Sequence, residues 1–157
     1  MAGSVERVAR AAERAGLTIE VKRMGASTRT AEEAARECGC GVDQIVKSLI
    51  FEGRIDKRLY LFLVSGSRRL DLERAAAVAG QPLDRADPRR IRDETGFAIG
   101  GVSPIGYDLP LPAFADRTLL GFDVVWAAAG AHDAVFAAEP GALIAAAGAA
   151  IADIASE

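Results

Sequence analysis

An α+β fold is what the sequence predicts: a single domain built on a mixed, largely antiparallel sheet with flanking helices. Three observations carry that expectation. Strand-like and helix-like segments are interleaved without the strict strand–helix–strand rhythm of a parallel α/β sheet. Two strongly apolar runs, residues 44–51 (QIVKSLIF) and 59–64 (LYLFLV), flank a polar segment at 53–58, the pattern of a hairpin. The chain has 157 residues, half of them apolar, with no internal repeat and no linker, so one domain spanning 1–157 is expected.

The elements follow in order. Residues 4–15 set Val5, Val8, Ala9, Ala12 and Ala15 on one helical stripe, and Gly16 is a natural stop. Ile19 and Val21 alternate with polar neighbours as a half-buried strand does. Thr30-Ala-Glu-Glu33 has the spacing of a capping box and opens a helix that ends at Gly39. After the hairpin, residues 71–79 form an alanine-rich helix ending at Gly80. Asp87-Pro88 sets a cap before a proline at the first helical position, which predicts a helix over 89–95. A glycine- and proline-rich loop covers 100–112. Strands around 123–128 and 134–136, a helix over 140–147 and a strand over 150–154 complete the chain.

Composition narrows the function. The formal charge is −3, whereas a protein that holds nucleic acid mainly through phosphates carries a basic excess. With no recognition-helix pattern either, DNA binding is not expected. Arginines are nevertheless clustered at Arg68 and Arg69 and again at Arg85, Arg89, Arg90 and Arg92, which leaves room for a local phosphate-contacting patch. Cys38 and Cys40 lack the further ligands of a zinc site and the spacing of a redox pair, so they read as ordinary thiols of a reducing compartment. No signal segment opens the chain, and no apolar run approaches the roughly 20 residues that span a bilayer. A cytoplasmic protein with no membrane association is the expectation.

Three places can hold chemistry. Lys47 interrupts an apolar strand on the side of Ile45 and Leu49, where an ammonium needs either a partner or a polar cavity. An edge-strand lysine that guards against aggregation fits the same position. Gly100-Gly-Val-Ser-Pro-Ile-Gly106 is a loop with special backbone angles and exposed N–H groups, but it has neither P-loop nor dinucleotide spacing. Trp126-Ala-Ala-Ala-Gly-Ala-His-Asp133 brings a strand of small residues to the one histidine, His132. No Ser-His-Asp or Cys-His set can be assembled around His132, which would have to do everything, and no metal-binding set of carboxylates and histidines is visible.

Together these blocks resemble the YbaK/prolyl-tRNA-editing family, the aminoacyl-tRNA-synthetase-associated editing domain. The likeness rests on Thr30-Ala-Glu-Glu-Ala-Ala35, Gln44-Ile-Val-Lys-Ser-Leu-Ile50 and Gly100-Gly-Val-Ser-Pro-Ile-Gly106, and on their order. It implies a hydrolase that clears a wrong amino acid from tRNA, often tRNA for proline, without a cofactor. It places Lys47 on the family's essential lysine and Gly100, Gly101, Val102, Ser103 and Pro104 on its G-x-x-x-P loop. Thr30, Ser48, Ala128, Gly130 and His132 are the further residues expected at the substrate. Cysteinyl-type members carry a serine where this chain has Ala128, so the resemblance implies a small amino acid (alanine, 2-aminobutyrate, serine or threonine) rather than strictly cysteine. The partner implied is the acceptor end of aminoacyl-tRNA, with Arg68, Arg69, Arg89 and Arg90 as phosphate contacts and prolyl-tRNA synthetase as a further partner. The alternative is a non-catalytic module that binds aminoacyl-tRNA or a synthetase.

Overall fold

The structure, a computed structural model, describes residues 3–24 and 30–157. Helix α1 (Ser4–Arg14) is followed by strand β1 (Val21–Arg23), helix α2 (Ala31–Cys38), a 3-10 turn (Val42–Gln44) and the long strand β2 (Ile45–Gly53). Strand β3 (Leu59–Ser65) returns antiparallel to β2. Next come β4 (Arg69–Leu70), α3 (Leu72–Ala79), β5 (Leu83–Arg85) and α4 (Pro88–Thr95). A long loop leads to β6 (Ala113–Asp116) and a second 3-10 turn (Arg117–Gly121). The chain ends with β7 (Val125–Ala131), β8 (Ala134–Ala138), α5 (Pro140–Ala146), β9 (Ala150–Ala152) and β10 (Ala155–Ser156).

Helix starts follow the capping residues. Thr30 Oγ1 accepts from the Glu33 amide at 3.1 Å, and its hydroxyl donates to the Glu33 carboxylate. Asp71 accepts from the amides of Glu73 and Arg74, and Asp87 from that of Arg89 at 2.8 Å, with Pro88 in the first turn. Each cap satisfies an amide that the first helical turn leaves open.

Among the described residues eight strands form one mixed sheet in the order β1-β8-β7-β2-β3-β6-β9, with β5 paired to the far end of β2. The pairs β2–β7, β3–β6 and β6–β9 are parallel and the other pairs antiparallel. Strands β4 and β10 form a small ladder of their own. β3 lies beside the central strand β2 and is buried at every residue, as its apolar run from Leu59 to Val64 requires. Its Leu59, Leu61 and Leu63 join the main core with Val8 of α1, Phe97 and Phe136. Its Tyr60, Phe62 and Val64 face a second core with Ala75 of α3 and Ile154. The α2 residues Ala34 and Ala35 pack on Ile45.

The fold class agrees with the sequence expectation, while the short strands differ in detail. β7 begins at Val125 and runs on to Ala131, β1 is Val21–Arg23, and the strand expected over 150–154 is limited to β9, with β10 following it. β4, β5 and β6 were not marked by alternation at all. These pieces take their conformation from ladder partners, as Val21 does from Phe136 and Leu83 from Gly53, and not from intrinsic preference.

One irregularity positions the site. β2 is bridged to β7 only at Ile45 and Val46, and to β5 only at Phe51, Glu52 and Gly53. Between those ladders the edge of β2 gives onto a cavity.

Candidate active site

The cavity has a volume of about 920 Å³. Its floor is β2 from Ile45 to Phe51, reached from both faces because the strand edge is open there. Thr30, Ala31 and Ala34 of the α2 region form one wall, and Trp126, Ala127 and Ala128 of β7 another. Arg85, Asp87, Pro88 and Ile91 close a third side, with Ile99, Gly100 and Val102 of the long loop above. An apolar lining with a few polar groups is the usual make-up of a ligand site, and this volume lies toward the upper end for pockets that enclose drug-sized molecules.

Lys47 is the cationic side chain on the floor. It is half-buried, and its Nζ donates to the carbonyl oxygen of Arg68 in the β3–β4 turn. An ammonium has three donors, so two remain for a ligand. Burial pushes the Lys47 pKa below its ordinary value of 10.5; the carboxylates of Glu32 and Asp116 oppose that shift, and Arg69 adds to it. Ser48, on the opposite face of the strand, has a buried Oγ with no hydrogen-bond partner among the described residues. A hydroxyl in that condition is costly unless a ligand completes it.

The 100–106 loop contributes unevenly. Gly100, at φ +91°, and Val102 reach the cavity wall. Gly101, Ser103 and Pro104 are buried behind them and do not line the cavity. Ser103 is held from both sides: its Oγ accepts from the Ile105 amide, and its carbonyl accepts from the Tyr107 hydroxyl at 2.7 Å. These residues therefore shape the loop from beneath. On β7, Ala128 lines the cavity, but Gly130 sits at a β-bulge with φ +100° and serves the packing of α1. A Cβ there would come within 2.7 Å of the Ser4 carbonyl oxygen, and the Ser4 hydroxyl donates to the Gly130 carbonyl. His132 lies exposed in the turn between β7 and β8, away from the cavity lining, and the neighbouring Asp133 accepts from Arg23 at 2.9 Å.

The arginines divide as well. Arg69 and Arg89 are exposed, Arg69 close enough to act on Lys47 electrostatically and Arg89 next to Pro88 at the rim. Arg90 is engaged by Glu52 and Glu94. The Arg68 guanidinium turns inward, to the Ala155 carbonyl at 2.8 Å and to Asp116 at 3.5 Å. Sequence reasoning missed Asp87, Trp126 and Ile99 as wall residues, and it noted Arg85 only as one of a cluster. Nothing in their local pattern marks them, since they meet at the cavity only through the break in the β2 ladder.

Among the described residues no cluster of His, Cys, Asp or Glu is placed to hold a metal ion. Cys38 is pushed up to about 11 by burial and by Cys40 beside it, and Cys40 is raised by burial, so neither is a thiolate at neutral pH.

With this geometry established, the comparisons decide the family. The sequence profile of the family described as "Aminoacyl-tRNA editing domain" matches residues 26–146, most of the chain. The chain belongs to the aminoacyl-tRNA editing domain family. The match contains α2, β2 with Lys47, the 100–106 loop and β7, which is to say every wall of the cavity.

Relatives fit the same picture. A crystal structure described as that of a candidate trans-editing enzyme for prolyl tRNA synthetase superposes with a TM-score of 0.92 at 49% identity, covering 100% of this chain and 99% of that one. The uncharacterized Bacillus subtilis protein YwhH is 28% identical over 121 residues, 77% of this chain and 76% of its own length. A proline–tRNA ligase of Thermosipho melanesiensis is 41% identical over 81 residues, which is 51% of this chain but only 14% of the ligase. The editing domain thus corresponds to a small part of that synthetase.

Proposed function

We propose that this editing domain is a trans-acting aminoacyl-tRNA deacylase that hydrolyses the ester between a mischarged small amino acid and tRNA, with tRNA for proline as the nucleic acid. The observation that carries the reading is a partly desolvated lysine, Lys47, on the floor of a mainly apolar cavity of about 920 Å³ in a chain of this family. Such a volume exceeds what a small amino acid fills and suits an amino acid together with the terminal nucleoside that carries it. The described relatives supply the prolyl-tRNA context.

An aminoacyl ester is already activated, so the protein needs to position water and stabilise negative charge, with no strong nucleophile of its own. Lys47 donates to the carbonyl oxygen as water adds and negative charge develops there. The carbon–oxygen bond to the ribose then breaks, and the ribose oxygen takes the proton that the attacking water gives up. Ser48 and the Gly100 backbone hold the acyl group against Val102. Ala128 presents a methyl where a hydroxyl would favour a polar side chain, which suits alanine or 2-aminobutyrate over cysteine. Arg69, Arg89 and the rim residue Arg85 meet the acceptor-end phosphates. The reaction takes place in the cytoplasm; among the described residues no helix is long and apolar enough to cross a membrane.

The test is single-turnover deacylation of tRNA(Pro) carrying alanine, 2-aminobutyrate, serine, threonine, cysteine or proline, corrected for spontaneous hydrolysis. Rapid release of one or two of the small groups, with prolyl-tRNA spared, is expected. Equal rates across the panel would contradict the assignment.

The pH profile adds a signed prediction. Lys47 acts as an ammonium, and burial lowers its pKa, so the rate falls on the alkaline side with a midpoint below 10.5. Stability moves the other way. Between the lowered value and 10.5 the unfolded chain holds a proton that the folded chain has released, so the contribution of Lys47 to stability rises with pH across that window. Urea unfolding of wild type and Lys47→Met at several alkaline pH values measures it.

A further inference from the structure

The β3–β4 turn is tied down by more contacts than a surface turn needs. Asp116, at the end of β6, has a side chain only 3% exposed. Its Oδ2 accepts from the Ser65 amide at 3.3 Å and lies 3.5 Å from Arg68 Nε, while its Oδ1 accepts from the Thr118 amide at 3.0 Å. Arg68 Nε is buried and makes no hydrogen bond among the described residues, so its link to that carboxylate is an ion pair, while Nη2 donates to the Ala155 carbonyl of β10 at 2.8 Å. Pairing of Arg69 and Leu70 with Ser156 and Ala155 holds the other side of the turn. At the apex of the arrangement the Arg68 carbonyl receives the Lys47 ammonium.

A buried carboxylate and a largely buried guanidinium are costly to desolvate, and a side chain so placed is a poor choice for capturing phosphate. Lysine has a long, freely rotating stem, and an acceptor fixed in space removes most of that freedom before substrate arrives. We propose that Arg68 and Asp116 are positioning residues for Lys47: Asp116 fixes the Arg68 side chain, and the Arg68 carbonyl in turn fixes the ammonium over the cavity floor. The proposal rests on the deacylase reading above and adds to it residues that never touch the substrate.

Arg68→Ala keeps the carbonyl and removes its tether. Because a displacement of about 1 Å at a reacting group costs up to ~10²-fold, kcat is expected to fall between about 10- and 100-fold with KM unchanged. Arg68→Lys keeps a charge near Asp116 but cannot also bridge to Ala155, and it should recover part of the loss. Asp116→Asn keeps the shape and removes the charge that favours the Lys47 ammonium, so the alkaline limb of the pH–rate profile moves to lower pH. Where Arg68→Ala fails to fold by circular dichroism, Arg68→Lys and Asp116→Asn carry the test.

NMR of lysine-labelled protein gives a readout independent of turnover. The two ε-methylene protons of Lys47, distinct in wild type, become equivalent in Arg68→Ala when the ammonium is released. An inactive wild type with that signature intact would defeat the deacylase reading and leave the positioning role standing. Wild-type kcat with unchanged Lys47 signals in the folded Arg68→Ala variant would overturn the proposal. So would a raised KM with unchanged kcat and a salt dependence weakened by about one phosphate contact, because that is the behaviour of a tRNA-binding arginine.

Discussion

Lys47→Met is expected to slow deacylation about 10²- to 10³-fold, the loss that follows removal of one preorganised donor to a developing oxyanion. Methionine fills nearly the same volume without a charge, so the apolar floor formed with Ile45 and Leu49 stays packed. The fold should not suffer. Burial lowers the Lys47 pKa, which means that holding the ammonium there is unfavourable at neutral pH, and the variant should be at least as stable as wild type. Rate loss together with unchanged or raised stability is the pattern of a residue retained for function. Single-turnover kinetics on the mischarged tRNA and urea unfolding on the same preparation measure both halves. A variant that loses activity because it is unfolded would not support the assignment.

The second large effect lies in the loop above the cavity. Gly100 has φ +91°, where a side chain is strained by about 1–3 kcal/mol. Gly101 is limited by space instead: a Cβ there would stand 3.0 Å from the Ala131 Cα and 3.1 Å from its amide nitrogen, both backbone atoms that cannot swing aside. Gly101→Val must therefore push the loop away from β7 and carry Gly100 and Val102 with it, widening the cavity on that side. The rate is expected to fall by about 10- to 100-fold by loss of orientation, with a fall in stability of about 1–3 kcal/mol from overpacking. Discrimination between alanine and larger acyl groups should weaken as well. The acyl-tRNA panel reads this directly, and unchanged selectivity in a folded Gly101→Val would remove the loop from the pocket.

What could be read in the sequence follows from range. The β2–β3 hairpin, α2 and α4 are fixed by contacts within a short stretch of chain: apolar runs, the Thr30 cap, Asp87 before Pro88. Each was legible for that reason. Lys47 stood out because a charge in an apolar strand violates the local pattern. The gap between the β2–β7 and β2–β5 ladders has no local signature, and it is this gap that makes Lys47 and Gly100 neighbours of one cavity.

Arg68 shows the opposite limit. In sequence it is one of two adjacent arginines and reads as a phosphate contact. In the fold Arg69 faces solvent while Arg68 turns to Asp116 and Ala155, partners from β6 and β10 that no local pattern predicts. Gly130 behaves similarly: the resemblance implied a place at the substrate, and its φ of +100° and its contacts with Ser4 serve the packing of α1 on β7.

Turnover separates an editing enzyme from a binding module, and it is measured by the release of amino acid from alanyl-tRNA(Pro) in excess over protein. One protein molecule is expected to free many molecules of alanine, the tRNA to leave uncharged, and Lys47→Met to slow the release about 10²- to 10³-fold while binding persists. A tRNA that is bound stoichiometrically and stays charged, with release no faster than in buffer, would contradict the deacylase reading and make the domain a binding module.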